Sequence, residues 1–267
     1  MRRTRHALGA ALLAALTASA LAIASPAERV RDNRHPWRPH LSAATRFVEG
    51  RQGEIAFAVA TRHRYWGYRD RVQFHSASVV KAMLLVEYLR EHAVDRSLTG
   101  GERGMLEPMI ERSDNNAASR VYGYVGDDGL RSLARRTRMS RFSPGGPYWG
   151  YSLIDARDQA RFFLRIDRYI PHRHRAYAMH LLASVVPEQR WGVGQVRPPG
   201  WRLYFKGGWG SGRGLIDHQI ALLRRGGRRV AVAVLTRNDP GHEYGKRTLQ
   251  GTFGRLFRSL ARSRFVP

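Results

Sequence analysis

Alternation of apolar and polar residues with period two falls only toward the two ends of this chain, and helical spacing fills the stretch between. Glu54–Thr61 (EIAFAVAT) is β-rich and alternating, and Arg64–Arg69 follows as a second strand after a short turn. Leu203–Gly208, Asp217–Arg224 and Arg229–Asn238 are strand-like again, with Arg225-Gly226-Gly227-Arg228 as a hairpin turn between the last two. Between the strand groups, helical spacing covers Ser76–Arg90, Arg103 to about Ala134, Ser152–Tyr169 and His174–Val185. The second of these is broken at Ser113-Asp114-Asn115-Asn116, at Gly123 and at Gly126–Gly129. A Gly/Pro/aromatic loop, FSPGGPYWGYS, spans residues 142–152, and helices are expected at Leu41–Glu49 and from about Tyr244 to Arg262. Strands from both ends must share one sheet. The prediction is an α/β (α+β) fold with an antiparallel sheet drawn from both chain ends and packed by helices. An all-helical lobe of about residues 91–200 is inserted, and the cleft between the two is the natural site.

The chain has no cysteine, so its stability must come from a packed core, which 43% hydrophobic content can supply. Arg2, Arg3 and Arg5 precede an apolar run from Ala7 to Ala24, and Ala22-Ile23-Ala24 gives a small-x-small cleavage site before Ser25-Pro26. This reads as a signal peptide over residues 1–24, hence a secreted, cell-wall-associated protein; an uncleaved membrane anchor is the alternative. Residues 25–45 form a loose lead-in, and 46–267 the domain proper. The formal net charge is +25, and the basic residues are scattered rather than gathered in one arm. For an exported protein the natural counter-charge is an anionic cell-wall polymer rather than nucleic acid. A monomer with no cofactor is expected.

Of the 46 lysines and arginines only Lys81, Lys206 and Lys246 are lysine. A chain that uses arginine whenever it wants charge keeps lysine where a guanidinium will not serve, since a buried lysine can lose its proton and act as a base. Lys81 lies three residues after Ser78, so on a helix starting there the two share a face. The helix start also directs N–H groups at whatever the serine attacks, and the apolar setting of Val79, Val80, Met83 and Leu84 should lower the lysine's pKa. Ser-x-x-Lys alone recurs by chance in many chains. Ser113-Asp114-Asn115 alone is equally well a cap and a turn. Lys206-Gly207-Gly208-Trp209 alone is a Gly-rich bend, or a cation on a strand edge with bare backbone for close substrate approach. Their order along one chain says more than any of them.

Together, and with MIERSDNNAASRVYGYVG, WGYSLIDARDQARFF, PEQRWGV and FKGGWG beside FHSASVVKAMLL, they resemble the class A β-lactamase and penicillin-binding-protein superfamily. The resemblance spans most of the chain beyond the signal and is strongest to the β-lactamase-related serine hydrolases of actinobacteria. It implies Ser78 as nucleophile, Lys81 as base, Ser113 as proton relay, Asn115 as substrate contact and Lys206 as carboxylate contact. Gly207, Gly208 and Trp209 would line the substrate strand, with the N–H groups of Ser78 and Trp209 as oxyanion hole. Two departures stand out. No glutamate lies between Glu111 and Glu188, where the resemblance leads one to look for a deacylating Glu; Asp155 and Asp158 fall on the predicted helix instead. Gly207 also replaces the usual hydroxyl residue after the strand lysine.

The expected activity is therefore that of an exported serine hydrolase forming an acyl-enzyme at Ser78 on β-lactams or related amides and esters. A D,D-peptidase or transpeptidase of wall peptides, and a low-turnover wall-binding protein of the same fold, are the alternatives. His172, His174 and His180 read as a solvated basic helix surface rather than metal ligands; His75 either lines the cleft or, the preferred reading, fills a strand end; Trp149, Trp191 and Trp209 read as core or cleft-wall aromatics, with a carbohydrate platform as the alternative.

Overall fold

The computed structural model describes residues 37–211 and 214–260; the predicted signal, most of the lead-in and the last two residues of the predicted final helix lie outside them. The elements run α1 (Leu41–Glu49), β1 (Glu54–Thr61), β2 (Tyr65–Tyr68), β3 (Phe74–His75), a 3₁₀ turn (Ala77–Val80) and α2 (Lys81–Glu91). They continue with α3 (Gly100–Glu111), α4 (Asn115–Thr137), a 3₁₀ turn (Trp149–Tyr151), β4 (Leu153–Ile154), α5 (Ala156–Leu164), α6 (Ile166–Tyr169) and α7 (His172–Ala183). The chain then returns through β5 (Arg202–Gly210), β6 (Ile216–Arg225), β7 (Arg228–Arg237) and α8 (His242–Leu256).

One five-stranded sheet has the order β2-β1-β7-β6-β5, every neighbouring pair antiparallel. Its inner strands are buried on both faces, and the alternation sorts residues by size. Ala56, Ala58, Ala60, Ala231 and Ala233 face one core, while Phe57, Val59, Val230, Val232 and Val234 face the other. The small residues of β1 and β7 let α5 lie close across them, and the large ones pack against α1 and α8; on β6 the larger residues Ile220 and Leu222 stand on the α5 side and Ala221 on the other. α2 is buried on every side, as its wide apolar coverage predicted. Among the described residues no helix is long and apolar enough to cross a membrane.

Three local readings need correction. Ser152–Tyr169 is not one helix: Ser152–Ile154 is extended and pairs with β3, and the Asp155 carboxylate caps α5 by accepting from the Asp158 N–H at 2.7 Å. Gly123 does not interrupt α4, whereas Gly126, at φ 60°, kinks it. His174 is not on a solvated surface: it is buried, and its Nε2 donates to the Ala93 carbonyl at 2.7 Å.

Candidate active site

Ser78 sits in the short 3₁₀ turn between β3 and α2, behind Ala77, whose φ of 42° is left-handed. A non-glycine residue holds that conformation only where its surroundings fix it. They do so from three sides. The Ser76 N–H donates to the Ser152 carbonyl at 2.7 Å, tying the turn to the aromatic loop. The buried His218 on β6 donates from Nε2 to the His75 carbonyl at 2.8 Å. On β5, Gly208 lies against the turn so closely that a Cβ there would fall 2.8 Å from the Ser78 nitrogen and 2.9 Å from that of Val79.

The Ser-Asp-Asn motif is the corner between α3 and α4. Asp114 caps α4 by accepting from the Ala117 N–H at 2.6 Å, and Ser113 takes a left-handed φ of 59°. That geometry aims Ser113 at two lysines. Lys81 Nζ, at the start of α2, lies 2.5 Å from the Ser113 carbonyl, 3.3 Å from its Oγ and 2.8 Å from Asn115 Oδ1. Lys206 Nζ donates to the same Oγ at 2.9 Å and to its neighbour's carbonyl, that of Gly207, at 2.9 Å. Both amines are shielded from solvent. Burial pulls Lys81 down to about 7, with Asp114 pulling the other way. Lys206 falls well below the lysine range, first through burial and then through the charge of Lys81. The Trp149 ring lies 4.7 Å from Lys81 Nζ.

These groups meet at a cavity of about 610 Å³ lined by Ser78, Ser113 and Asn115 together with the aromatic rings of Tyr148, Trp149, Tyr151 and Trp209. Lys81, Lys206, Gly207 and Gly208 stand behind that lining rather than on it. Among the described residues, no hydrogen bond joins Lys81 to Ser78; its protons are taken by Ser113 and Asn115. His75 does more than fill a strand end: it lines the cavity, with Nδ1 3.0 Å from the Tyr151 carbonyl. Trp149 and Trp209 are cleft-wall aromatics, and Trp191 packs edge-on to Trp209 with ring centroids 5.9 Å apart.

Among the described residues no carboxylate is part of the lining. Asp155 is spent as a cap and Asp158 on the Ser140 and Arg141 N–H groups at 2.6 and 3.0 Å. Sequence reasoning missed His242, which also lines the cavity, and Asp217 behind it. Asp217-His218-Gln219, a polar run inside a fully buried strand, was the available signal. His242 opens an amphipathic helix and carried none.

The Beta-lactamase enzyme family matches residues 103–258. No curated protein matches the sequence. Among solved structures, a β-lactamase from Sphaerobacter thermophilus is 16% identical at a TM-score of 0.70, over 85% of this chain and 98% of its own. A class A β-lactamase from Mycobacterium abscessus is 17% identical at a TM-score of 0.70, over 83% and 99% respectively. A class A representative from Bacteroides cellulosilyticus is 12% identical at a TM-score of 0.70, over 84% and 98%. At such identities the likeness is one of fold.

Proposed function

The chain belongs to the Beta-lactamase enzyme family, and from that premise we propose that it is an exported serine hydrolase acylated at Ser78 by β-lactams or related amides and esters. The observation that carries this reading is the convergence of two buried lysine amines on Ser113 beside a cavity that Ser78 lines. Acylation needs a base that is neutral near physiological pH, and burial supplies one in Lys81. The Lys81 amine takes the Ser78 proton as Oγ adds to the carbonyl, and Ser113 passes a proton on to the departing nitrogen. Lys206 keeps the Ser113 hydroxyl oriented, and a substrate carboxylate arriving beside it would favour the proton that burial and Lys81 draw away. Asn115 Oδ1 and the aromatic wall hold the acyl side chain. The backbone N–H groups of Ser78 and Trp209 receive the developing oxyanion.

A second reading is favoured by the cavity lining, which holds no carboxylate among the described residues. An acyl-enzyme without a glutamate to activate water turns over slowly, which suits a D,D-peptidase-like enzyme of wall peptides, held at anionic wall polymers by the charge of +22 that remains once Arg2, Arg3 and Arg5 leave with the signal.

Intact-mass spectrometry of the protein after mixing with benzylpenicillin, with Ser78→Ala alongside, separates the readings. A lasting adduct lost in the variant supports acylation with slow release. Rapid Ser78-dependent loss of penicillin supports a working lactamase. If neither adduct nor loss appears, β-lactam recognition is refuted and the search turns to esters and wall peptides.

A further inference from the structure

We infer that His242, oriented by Asp217, is the base that activates the water releasing the acyl group from Ser78. The inference rests on the acyl-serine reading above and supplies the group which that reading lacks. His242 is the first residue of α8, and it lines the cavity that Ser78 lines. Its Nδ1 lies 3.2 Å from each carboxylate oxygen of Asp217, whose side chain is fully buried while that of His242 is 36% exposed. A ring held through Nδ1–H by a buried carboxylate keeps its lone pair on Nε2, the tautomer a base needs. Among the described residues that Nε2 has no hydrogen-bond partner in the protein, which leaves it free for water.

The surroundings are arranged around this pair. Asp217 sits on β6 directly opposite Trp209 in the sheet register, so the pair stands beside the strand that carries the predicted oxyanion N–H. α8 comes close enough to cover Asp217 only because residue 245 is glycine: a Cβ there would fall 2.2 Å from Asp217 Oδ2 and 2.7 Å from Asp239 Oδ2. The charged groups facing the pair are Asp239 after β7, Glu243 and Lys246 on α8, and, beyond Asp239, Arg51. Burial, with Asp239 adding to it, raises Asp217 to about 7 even though the imidazole beside it draws it part of the way back down. A carboxylate that costs this much to bury without a full set of hydrogen bonds is well used when an imidazole shares its proton.

The step balances as follows. A water oxygen bonds to the acyl carbonyl carbon while its proton moves to His242 Nε2. The tetrahedral adduct then collapses, the bond from carbon to Ser78 Oγ breaks, and the proton held at Nε2 is returned to Oγ. The products are a carboxylic acid and free serine.

The test uses two acyl donors, benzylpenicillin and p-nitrophenyl acetate, the second needing no β-lactam recognition. Intact mass is followed over time for the unaltered protein, His242→Gln and His242→Ala. Gln can still hydrogen-bond Asp217 and so guards against a merely disordered helix end. The acyl-Ser78 lifetime should lengthen about 100-fold in both variants, and added imidazole should shorten it again in His242→Ala. An unchanged lifetime overturns the inference. So does a lengthened one that imidazole does not shorten, or a higher penicillin concentration for half-acylation at unchanged lifetime, which would make His242 a substrate contact. If the ester behaves as expected and penicillin neither forms an adduct nor is consumed, the β-lactam reading falls and the inference stands. If neither donor acylates Ser78, both fall.

Discussion

Lys81 and Lys206, 125 positions apart in the chain, share one acceptor: their amines lie 3.3 and 2.9 Å from the Ser113 hydroxyl oxygen. In a setting where water screens little, the charge of Lys81 loosens the hold of Lys206 on its proton, while burial alone brings Lys81 down. The pair is a source of a neutral amine at ordinary pH, and Ser113 is what keeps the two together.

Ser113→Ala removes that shared acceptor. Lys206 retains only the Gly207 carbonyl and Lys81 the Ser113 carbonyl and Asn115. A buried donor left unmatched costs about 1–3 kcal/mol, to be read from urea unfolding. Acylation of Ser78 by p-nitrophenyl acetate or penicillin should slow about 100-fold, since a proton-transfer group is lost. An unaltered acylation rate would remove Ser113 from the proton path.

Lys81→Arg tests the base. A guanidinium keeps its proton throughout the accessible range, so acylation should fall at least about 1,000-fold even where the fold survives. In the unaltered protein the reactive form is the neutral amine. The acylation rate should therefore rise with pH and reach half its plateau near 7, where burial places Lys81. A rate that is flat between pH 6 and 8, or one that survives the arginine, points to a different base.

His218 carries a stability prediction with a definite sign. Its ring is fully buried, donates to the His75 carbonyl and accepts the Thr236 N–H at 3.1 Å, and burial lowers it from 6.5 to about 4. Between those values the unfolded chain holds more protons than the folded one. The stability that the neutral imidazole gives is complete above pH 6.5 and is lost as pH falls toward 4, by about 3 kcal/mol in all. Glu87 and Asp155, raised by burial, act in the opposite direction, so the comparison must be with His218→Gln. That variant should be the less stable at pH 7, and its deficit should shrink by about that amount on acidification. A deficit that stays constant in urea titrations across this range would mean that the ring is already charged in the fold.

The strands at both chain ends and the order of the three motifs were legible because each is local: alternation is read within one segment, and a spacing of three residues needs only one turn. β1 agrees with its predicted bounds at both ends. Ser152–Tyr169 misled because its amphipathic pattern continues across Asp155, and only the pairing of β4 with β3 shows that the helix starts after it. His174 misled because its neighbours are arginines while the ring turns inward to Ala93. The placing of His242 beside Asp217 depends on how α8 folds back over β6, 25 residues away along the chain, and no local spacing encodes that. The site residues contributed by motif were visible, and those contributed by tertiary packing were not.

Gly208→Ala is the sharpest test of how the substrate strand positions the nucleophile. The added methyl would come within 3 Å of two backbone nitrogens, of Ser78 and Val79, and 3.2 Å of the Ser76 carbonyl oxygen. Backbone atoms in a turn held by Ser152 and His218 cannot swing aside as a flexible side chain would. The turn must therefore shift or β5 must part from it, at a cost of about 1–3 kcal/mol. Because the displaced atoms include the predicted oxyanion donor of Ser78, acylation should suffer more than stability, by about 100-fold or more. Gly207→Ala is the control: its Cβ meets only the Trp191 ring at 3.5 Å and Gln219 Cγ at 3.8 Å, ordinary contact distances. That variant should fold and acylate nearly as the unaltered chain does. Equal behaviour of the two variants in stopped-flow acylation would show that the close approach of β5 to the turn has no part in the chemistry.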